Sequence, residues 1–186
     1  MKPTLIIFIC LLAYNSLQAQ TKTWQFQSVN TFSHLFGNNK NGYNLQTVNG
    51  ILYKQKYGVA LGTGYEQYYS THSIPLFVQL KRQFNFKNNH HLNVFANNGT
   101  SFITKTPYKT NSFATVKKYP AYYSNLGISY WLPLEKNCYF TFGISYNFHQ
   151  LKFKETYNWD NVENEKYSEI ISQKFRTIGL SVGLVF

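Results

Sequence analysis

Ser145 and His149 stand four residues apart, with Glu155 close behind. Together they offer a nucleophile, a base and an acid, the ingredients of ester hydrolysis. Catalytic groups on strands need one face and adjacent positions across strands, and no known motif surrounds this pair. His149 therefore reads as a hydrogen-bonded interior histidine. His90-His91 has no carboxylate or thiol close in sequence to complete a metal site. Glu155, Asp160, Glu163, Glu165 and Glu169 cluster as Ca²⁺-binding oxygens do, but acids between apolar segments read first as a solvated loop tip. Cys138 has no second cysteine downstream of Cys10, so an internal disulfide of the exported chain is excluded and the thiol reads as inert. No residue is assigned a catalytic, cofactor-binding or metal-binding role, and the chain is expected to be non-enzymatic.

The segments that carry these residues are more informative than the residues themselves. Ile178, Leu180, Val182, Leu184 and Phe186 are apolar at every second position, with small residues between them. A strand turns alternate side chains to opposite faces, so this tail has one apolar face and one small, mostly polar face. The same period recurs in Tyr57–Tyr68, Ile74–Phe84, Leu92–Phe102, Tyr122–Leu132 and Tyr139–Phe148, and more weakly in Trp24–Phe32 and Leu45–Lys54. Ahead of them lie Lys2, an apolar run from Leu5 to Ala13, and small residues ending at Ala19, which predict a signal peptide over residues 1–19. The run is about half of the ~20 residues a spanning helix needs. Residues 20–186 then form one barrel domain.

Eight strands suit a single-chain barrel with both termini on the periplasmic side. Taking the first strand as outward-going, the periplasmic turns fall at Gln55-Lys56, Lys87–His91 and Pro133–Asn137. The outer loops fall at His34–Tyr43, Tyr69–Ser73, Thr104–Tyr119 and Lys152–Lys174, three of them longer than any turn at the other end. Faces agree with this division. The parity that holds Val59, Leu61, Val78, Leu126, Ile144 and Leu180 is free of charge in mid-strand, where Lys or Arg against lipid would cost about 2–4 kcal/mol. Arg82 and Arg176 share the parity but fall at the ends of the predicted segments. The opposite parity holds Gly58, Gly62, Gly127 and Gly179, leaving room for Phe77, Phe95, Tyr123 and Trp131 among Gln79, Lys81, Asn97, Asn125, Ser145 and Asn147. Glu66 is expected to pair with Lys81, because a lone buried charge is expensive. An eight-stranded barrel is only wide enough for side chains to fill, so no open pore is expected.

The blocks GVALGTGYEQY, SIPLFVQLKRQF, NLGISYWL, YFTFGISYNFH and IGLSVGLVF resemble the outer-membrane β-barrel family common in Bacteroidota, over most of residues 43–186. The resemblance implies a Gram-negative outer membrane and an eight-stranded antiparallel up-and-down barrel of the OmpA/OmpX kind. It also implies insertion by the outer-membrane assembly machinery through the C-terminal strand, with Phe186 as the signal.

Aromatics at 19% and DEKR residues at only 13% fit such a barrel with interfacial girdles. The net charge of +11 is scattered, with Lys117-Lys118 the clearest cluster. Nucleic acid is not an expected partner of an exported chain. Outer-membrane lipid and lipopolysaccharide are the expected recipients of that charge, with an extracellular protein or polysaccharide as a further partner. Recognition is expected in the long loops, at Lys105, Tyr108, Lys109, Lys117 and Lys118 and at Tyr157, Trp159 and Tyr167. The expected function is that of a monomeric structural or surface-interaction barrel. Two other readings stay open: a lipid-modifying barrel hydrolase using Ser145 and His149, and a soluble lipocalin-like binding barrel, whose outer surface should be polar.

Overall fold

The computed structural model describes residues 23–37, 41–68, 70–106, 114–158 and 166–186. The expected signal peptide lies outside them. The described residues form strands β1 (Trp24–Gly37), β2 (Gly42–Tyr53), β3 (Tyr57–Tyr68), β4 (Thr71–Asn85) and β5 (His91–Lys105). These are followed by β6 (Ala114–Tyr119), β7 (Ala121–Glu135), β8 (Cys138–Asn158) and β9 (Lys166–Val185). Every pairing is antiparallel.

β6 and β7 make one stave of the wall. Both pair with β8, Tyr119 opposite Lys152 and Tyr123 opposite His149, so the register slips by one residue across Pro120. Proline has no N–H to give the ladder, and a bulge is where it is tolerated. Counted this way the meander has eight staves. It closes where β9 pairs with β1 from Val185 opposite Val29 to Thr177 opposite Gly37. Phe186 finishes the seam, its N–H and C=O exchanging 2.9 Å bonds with Ser28. Around the closed band no sheet edge is left, the condition for spanning a bilayer with strands. No helix among the described residues is long and apolar enough to cross a membrane.

One end of the barrel carries short connections. Lys54 and Gln55 both take positive φ (48° and 54°), and the Lys56 N–H bonds back to Tyr53 C=O at 3.0 Å. Two successive left-handed residues in this three-residue connection follow the twist of the flanking strands. A single 3₁₀ turn, Lys87–Asn89, joins β4 to β5, and Lys136-Asn137 joins β7 to β8. This is the turn end. The opposite, hairpin end differs from the expected pattern. Half of Thr104–Tyr119 and most of Lys152–Lys174 is strand, since β6 occupies Ala114–Tyr119 while β8 runs to Asn158 and β9 starts at Lys166.

The expected faces hold. Val59, Leu61, Leu76, Val78, Leu80, Leu126, Ile144 and Leu180 all point out of the wall and are exposed. Inside, Phe77, Tyr123, Trp131, Gln79, Asn97, Asn125 and Asn147 are buried. The inward glycines admit the large residues. A Cβ on Gly127 would meet the Phe95 ring at 2.5 Å, and one on Gly58 would meet the Lys81 stem at 2.7 Å. Rings pair at both rims of the apolar band. Trp24–Tyr53 (4.7 Å) and Tyr130–Phe142 (5.6 Å) lie toward the turn end, Phe32–Tyr43 and Tyr122–Phe148 (each 5.9 Å) toward the hairpin end. The Arg82 guanidinium lies against Phe84 (4.9 Å) and Tyr57 (5.6 Å), a cation at the girdle rather than mid-band.

Candidate functional site

The lumen is the first place to seek a site, and it is stacked with side chains. At the turn end a polar recess of about 310 Å³ is bordered by Gln25, Gln27, Gln83, His91, Glu135 and Tyr139. Above it Lys81 donates to Gln27 Oε1 and holds its ammonium 4.9 Å from the Trp131 ring centre. A gap of about 50 Å³ follows, room for only a few waters. Part of its polar lining is paired: Gln79 Nε2 donates to Asn97 Oδ1 at 3.0 Å, and Asn125 Nδ2 donates to Asn147 Oδ1. Val48, Ala60, Phe77 and Tyr123 then fill the bore. The Tyr123 hydroxyl accepts a 2.6 Å bond from Gln46 Nε2.

Glu66 lies deeper toward the hairpin end, and its partner is not Lys81. Its Oε1 accepts from Asn44 Nδ2 at 2.5 Å, and its Oε2 sits 3.1 Å from His149 Nδ1, both side chains fully buried. Register explains the correction. Glu66 faces Ser73 on β4, whereas Lys81 faces Gly58, so the two charges stand at opposite ends of the β3–β4 ladder. Closure brings β8 across the lumen instead, a juxtaposition that sequence order does not reveal. Tyr68 packs edge-on to His149 (5.7 Å) and stacks on Phe175 (5.0 Å), sealing the pair from the hairpin end.

Ser145 and His149 are not joined. Ser145 Oγ accepts from Asn147 Nδ2 at 3.3 Å, while His149 turns to Glu66. No group of three His, Cys, Asp or Glu among the described residues could hold a metal ion. The acids expected in a solvated loop tip are partly structural. Glu155 is buried on β8, directly opposite Glu169 on β9, and Asp160, Glu163 and Glu165 lie outside the described residues.

Beyond the hairpin-end girdle the wall changes character. Below it, the outward parity is mostly apolar and the inward parity mixes polar side chains and glycines with a few large rings. Above it, Leu151 and Phe153 are buried with Ile103 and Ala121, and Val116, Ile171 and Phe175 pack against them. The outward parity of β6, β8 and β9 now carries Lys117, Lys152, Lys154, Lys174 and Arg176, all exposed except the half-buried Lys154. Apolar inside and charged outside is the polarity of a water-facing sheet.

The expected recognition residues divide accordingly. Lys105 is exposed at the end of β5, Lys117 faces out from β6, and Lys118 donates to Thr104 C=O at 2.6 Å. Tyr157 and Tyr167 occupy facing positions of the β8–β9 ladder. Tyr108, Lys109 and Trp159 lie outside the described residues. Lys152, Lys154, Lys174 and Arg176 were not among the expected recognition residues. Their signal was in the sequence, because the Lys-Phe-Lys alternation after Leu151 keeps the period of two with its polarity reversed.

A closed eight-stave meander, apolar without and polar within, defines the class: an eight-stranded transmembrane-type antiparallel β-barrel. Solved structures of outer-membrane barrels share the fold. Neisserial surface protein A aligns with a TM-score of 0.59 at 11% identity, over 89% of this chain and 96% of its own. The outer membrane protein OprG from Pseudomonas aeruginosa aligns with a TM-score of 0.55 at 11% identity, over 88% of this chain and 94% of its own. No protein-family model matches the chain. No curated protein sequence matches it either.

Proposed function

We propose that the chain is a monomeric, non-enzymatic integral protein of a Gram-negative outer membrane, of the Bacteroidota type, with a structural or surface-interaction role. The turn end and both termini face the periplasm, and the β6–β8–β9 extension stands outside the cell. The observation that carries this reading is the reversal of polarity at the Tyr122–Phe148 girdle. A wall that is apolar outside up to that level and charged outside beyond it matches a bilayer bounded by water. A soluble lipocalin-like barrel would be polar outside along its whole length, so the exposed Leu61, Leu80, Leu126 and Leu180 speak against it. The fully buried His149, held by Glu66 and apart from Ser145, speaks against a hydrolase acting on lipid. Phe77, Tyr123 and the Lys81–Gln27 contact across the bore support a barrel closed to diffusion.

Intact cells treated with a membrane-impermeant amine reagent test the reading. Lys152 and Lys174 should react while Lys54, Lys56 and Lys136 at the turn end stay protected until the envelope is opened. Planar bilayers containing the refolded barrel should show no steady conductance steps. Reaction of only the turn-end lysines would reverse the orientation, and sustained conductance would refute the closed lumen.

A further inference from the structure

The outward face of the extension is a charge-segregated surface. Lys117 on β6 lies directly opposite Lys154 on β8, and Tyr119 directly opposite Lys152. On the other side Lys152 faces Ser172, Gln150 faces Lys174, and Phe148 faces Arg176 on β9. Successive same-face positions of a strand lie about 7 Å apart and neighbouring strands about 4.8 Å apart. Five cations therefore share one small patch of sheet. Among the described residues no carboxylate shares their parity, since Glu155 and Glu169 take the opposite one. Like charges directly opposed across a ladder destabilise it. Lys117 against Lys154 is such a pair, and an anion bound over this face would relieve it.

The height of the patch selects the anion. Arg176 is level with Phe148, whose ring packs at a tilt against Tyr122 in the girdle at 5.9 Å. Lys152 lies about 13 Å further along β8, which a strand tilt of about 40° turns into a rise of roughly 10 Å. Headgroups extend about 5–8 Å beyond the hydrocarbon on each side. Arg176 and Lys174 thus lie within the headgroup layer, Lys152 stands just above it, and Lys154 and Lys117 stand about 5 Å higher, at the level of sugar-borne phosphate.

We propose that this face binds the phosphates of a phosphorylated glycolipid in the outer leaflet. Acyl chains would lie along Tyr146, Phe148 and Ile178 below, and sugar-borne phosphates would lie over the five cations. The inference rests on the extension standing outside the cell, and it turns a diffuse positive charge into a defined lipid site.

The test uses the full barrel in phosphatidylcholine nanodiscs titrated with fluorescent bisphosphorylated lipid A. Lys152→Gln/Lys154→Gln/Lys174→Gln/Arg176→Gln should weaken binding about tenfold or more. A turn-end control with the same loss of charge, Lys54→Gln/Lys56→Gln/Lys87→Gln/Lys136→Gln, should leave it unchanged. Inorganic phosphate at millimolar concentration should not compete, whereas phosphatidylcholine discs doped with unlabelled lipid A should. Equal weakening by both variants would make the effect one of bulk charge, and full competition by inorganic phosphate would make it a soluble-anion site. Either result overturns the proposal, as does unchanged binding by the first variant. Lys152→Gln/Arg176→Gln gives the same comparison with less perturbation if the fourfold variant does not fold. Reaction of only the turn-end lysines on intact cells would instead defeat the orientation, so the two failures are distinguishable.

Discussion

Removing the Glu66 carboxylate should be among the most damaging single changes in the lumen. Glu66→Ala takes away the acceptor of the 2.5 Å bond from Asn44 and the group 3.1 Å from His149. Glu66 and His149 are fully buried, so no water replaces what is lost. Breaking a buried pair from one side costs about 3–5 kcal/mol, because the remaining partner keeps its desolvation penalty. Glu66→Gln keeps the volume and an acceptor oxygen and should cost about 1–3 kcal/mol. Glu66→Met/His149→Leu removes both polar groups while filling the space. It should recover the part of the Glu66→Ala loss that belongs to the pair, since apolar replacement of a buried pair is often near neutral, while the stranded Asn44 amide keeps its cost. The assay is urea unfolding in detergent, read from the fraction that keeps folded mobility in unboiled gel samples. With a slope of about 1–3 kcal/mol per molar urea, Glu66→Ala should lower the midpoint by roughly 1–5 M. A double variant as unstable as the sum of its single changes would refute the reasoning, as would an unshifted Glu66→Ala midpoint.

Three further changes probe the wall and the seam. Gly62→Ala pushes a methyl group into the Phe77 ring, itself locked among Val48, Ala60 and Tyr123, and should cost about 1–3 kcal/mol of unfolding stability. Adding Phe77→Leu should restore much of that loss, and no rescue would mean the two do not compete for space. Val182→Lys sets a charge on the exposed outer face and should cost up to about 2–4 kcal/mol in lipid, with lower yield in the membrane fraction. A normal yield and midpoint would argue against a lipid-facing position. Deleting Phe186 removes two seam bonds to Ser28 along with the proposed assembly signal. Membrane levels should fall further than refolding yield in detergent, and equal falls would reduce Phe186 to a structural role.

Strands inside the bilayer were legible because one rule governs them, apolar residues against lipid and polar or small residues within. Tyr57–Tyr68 is a strand with the expected bounds, and β4, β5 and β7 differ from expectation only by extra residues at their ends. The rule fails where the solvent changes. From Gln150 to Thr156 the outward positions turn polar, with Lys152 and Lys154 among them, and the inward ones include Leu151 and Phe153, so a search for an apolar outer face stops at Phe148 and reads a loop. The start of β2 at Gly42 and the end of β1 at Gly37 were hidden for a related reason. Ser33, Asn44 and Gln46 point into the lumen, and Tyr43 and Leu45 alone are too few to set a parity. Pairing across the lumen was not legible at all. Glu66 meets His149 because eight staves close into a ring, and sequence order places neither beside the other.

The central claim is a closed barrel whose β9 presents alternate residues to lipid and to a packed interior. Spin labels placed singly at positions 180 to 185, in a Cys138→Ser background reconstituted in phosphatidylcholine, test it residue by residue. Collision with dissolved oxygen should be high at Leu180, Val182 and Leu184 and low at Ser181, Gly183 and Val185. Collision with a water-soluble nickel chelate should be low at all six. Access without a period of two, or nickel reaching the Leu180, Val182 and Leu184 positions, would contradict the barrel as a membrane-spanning structure.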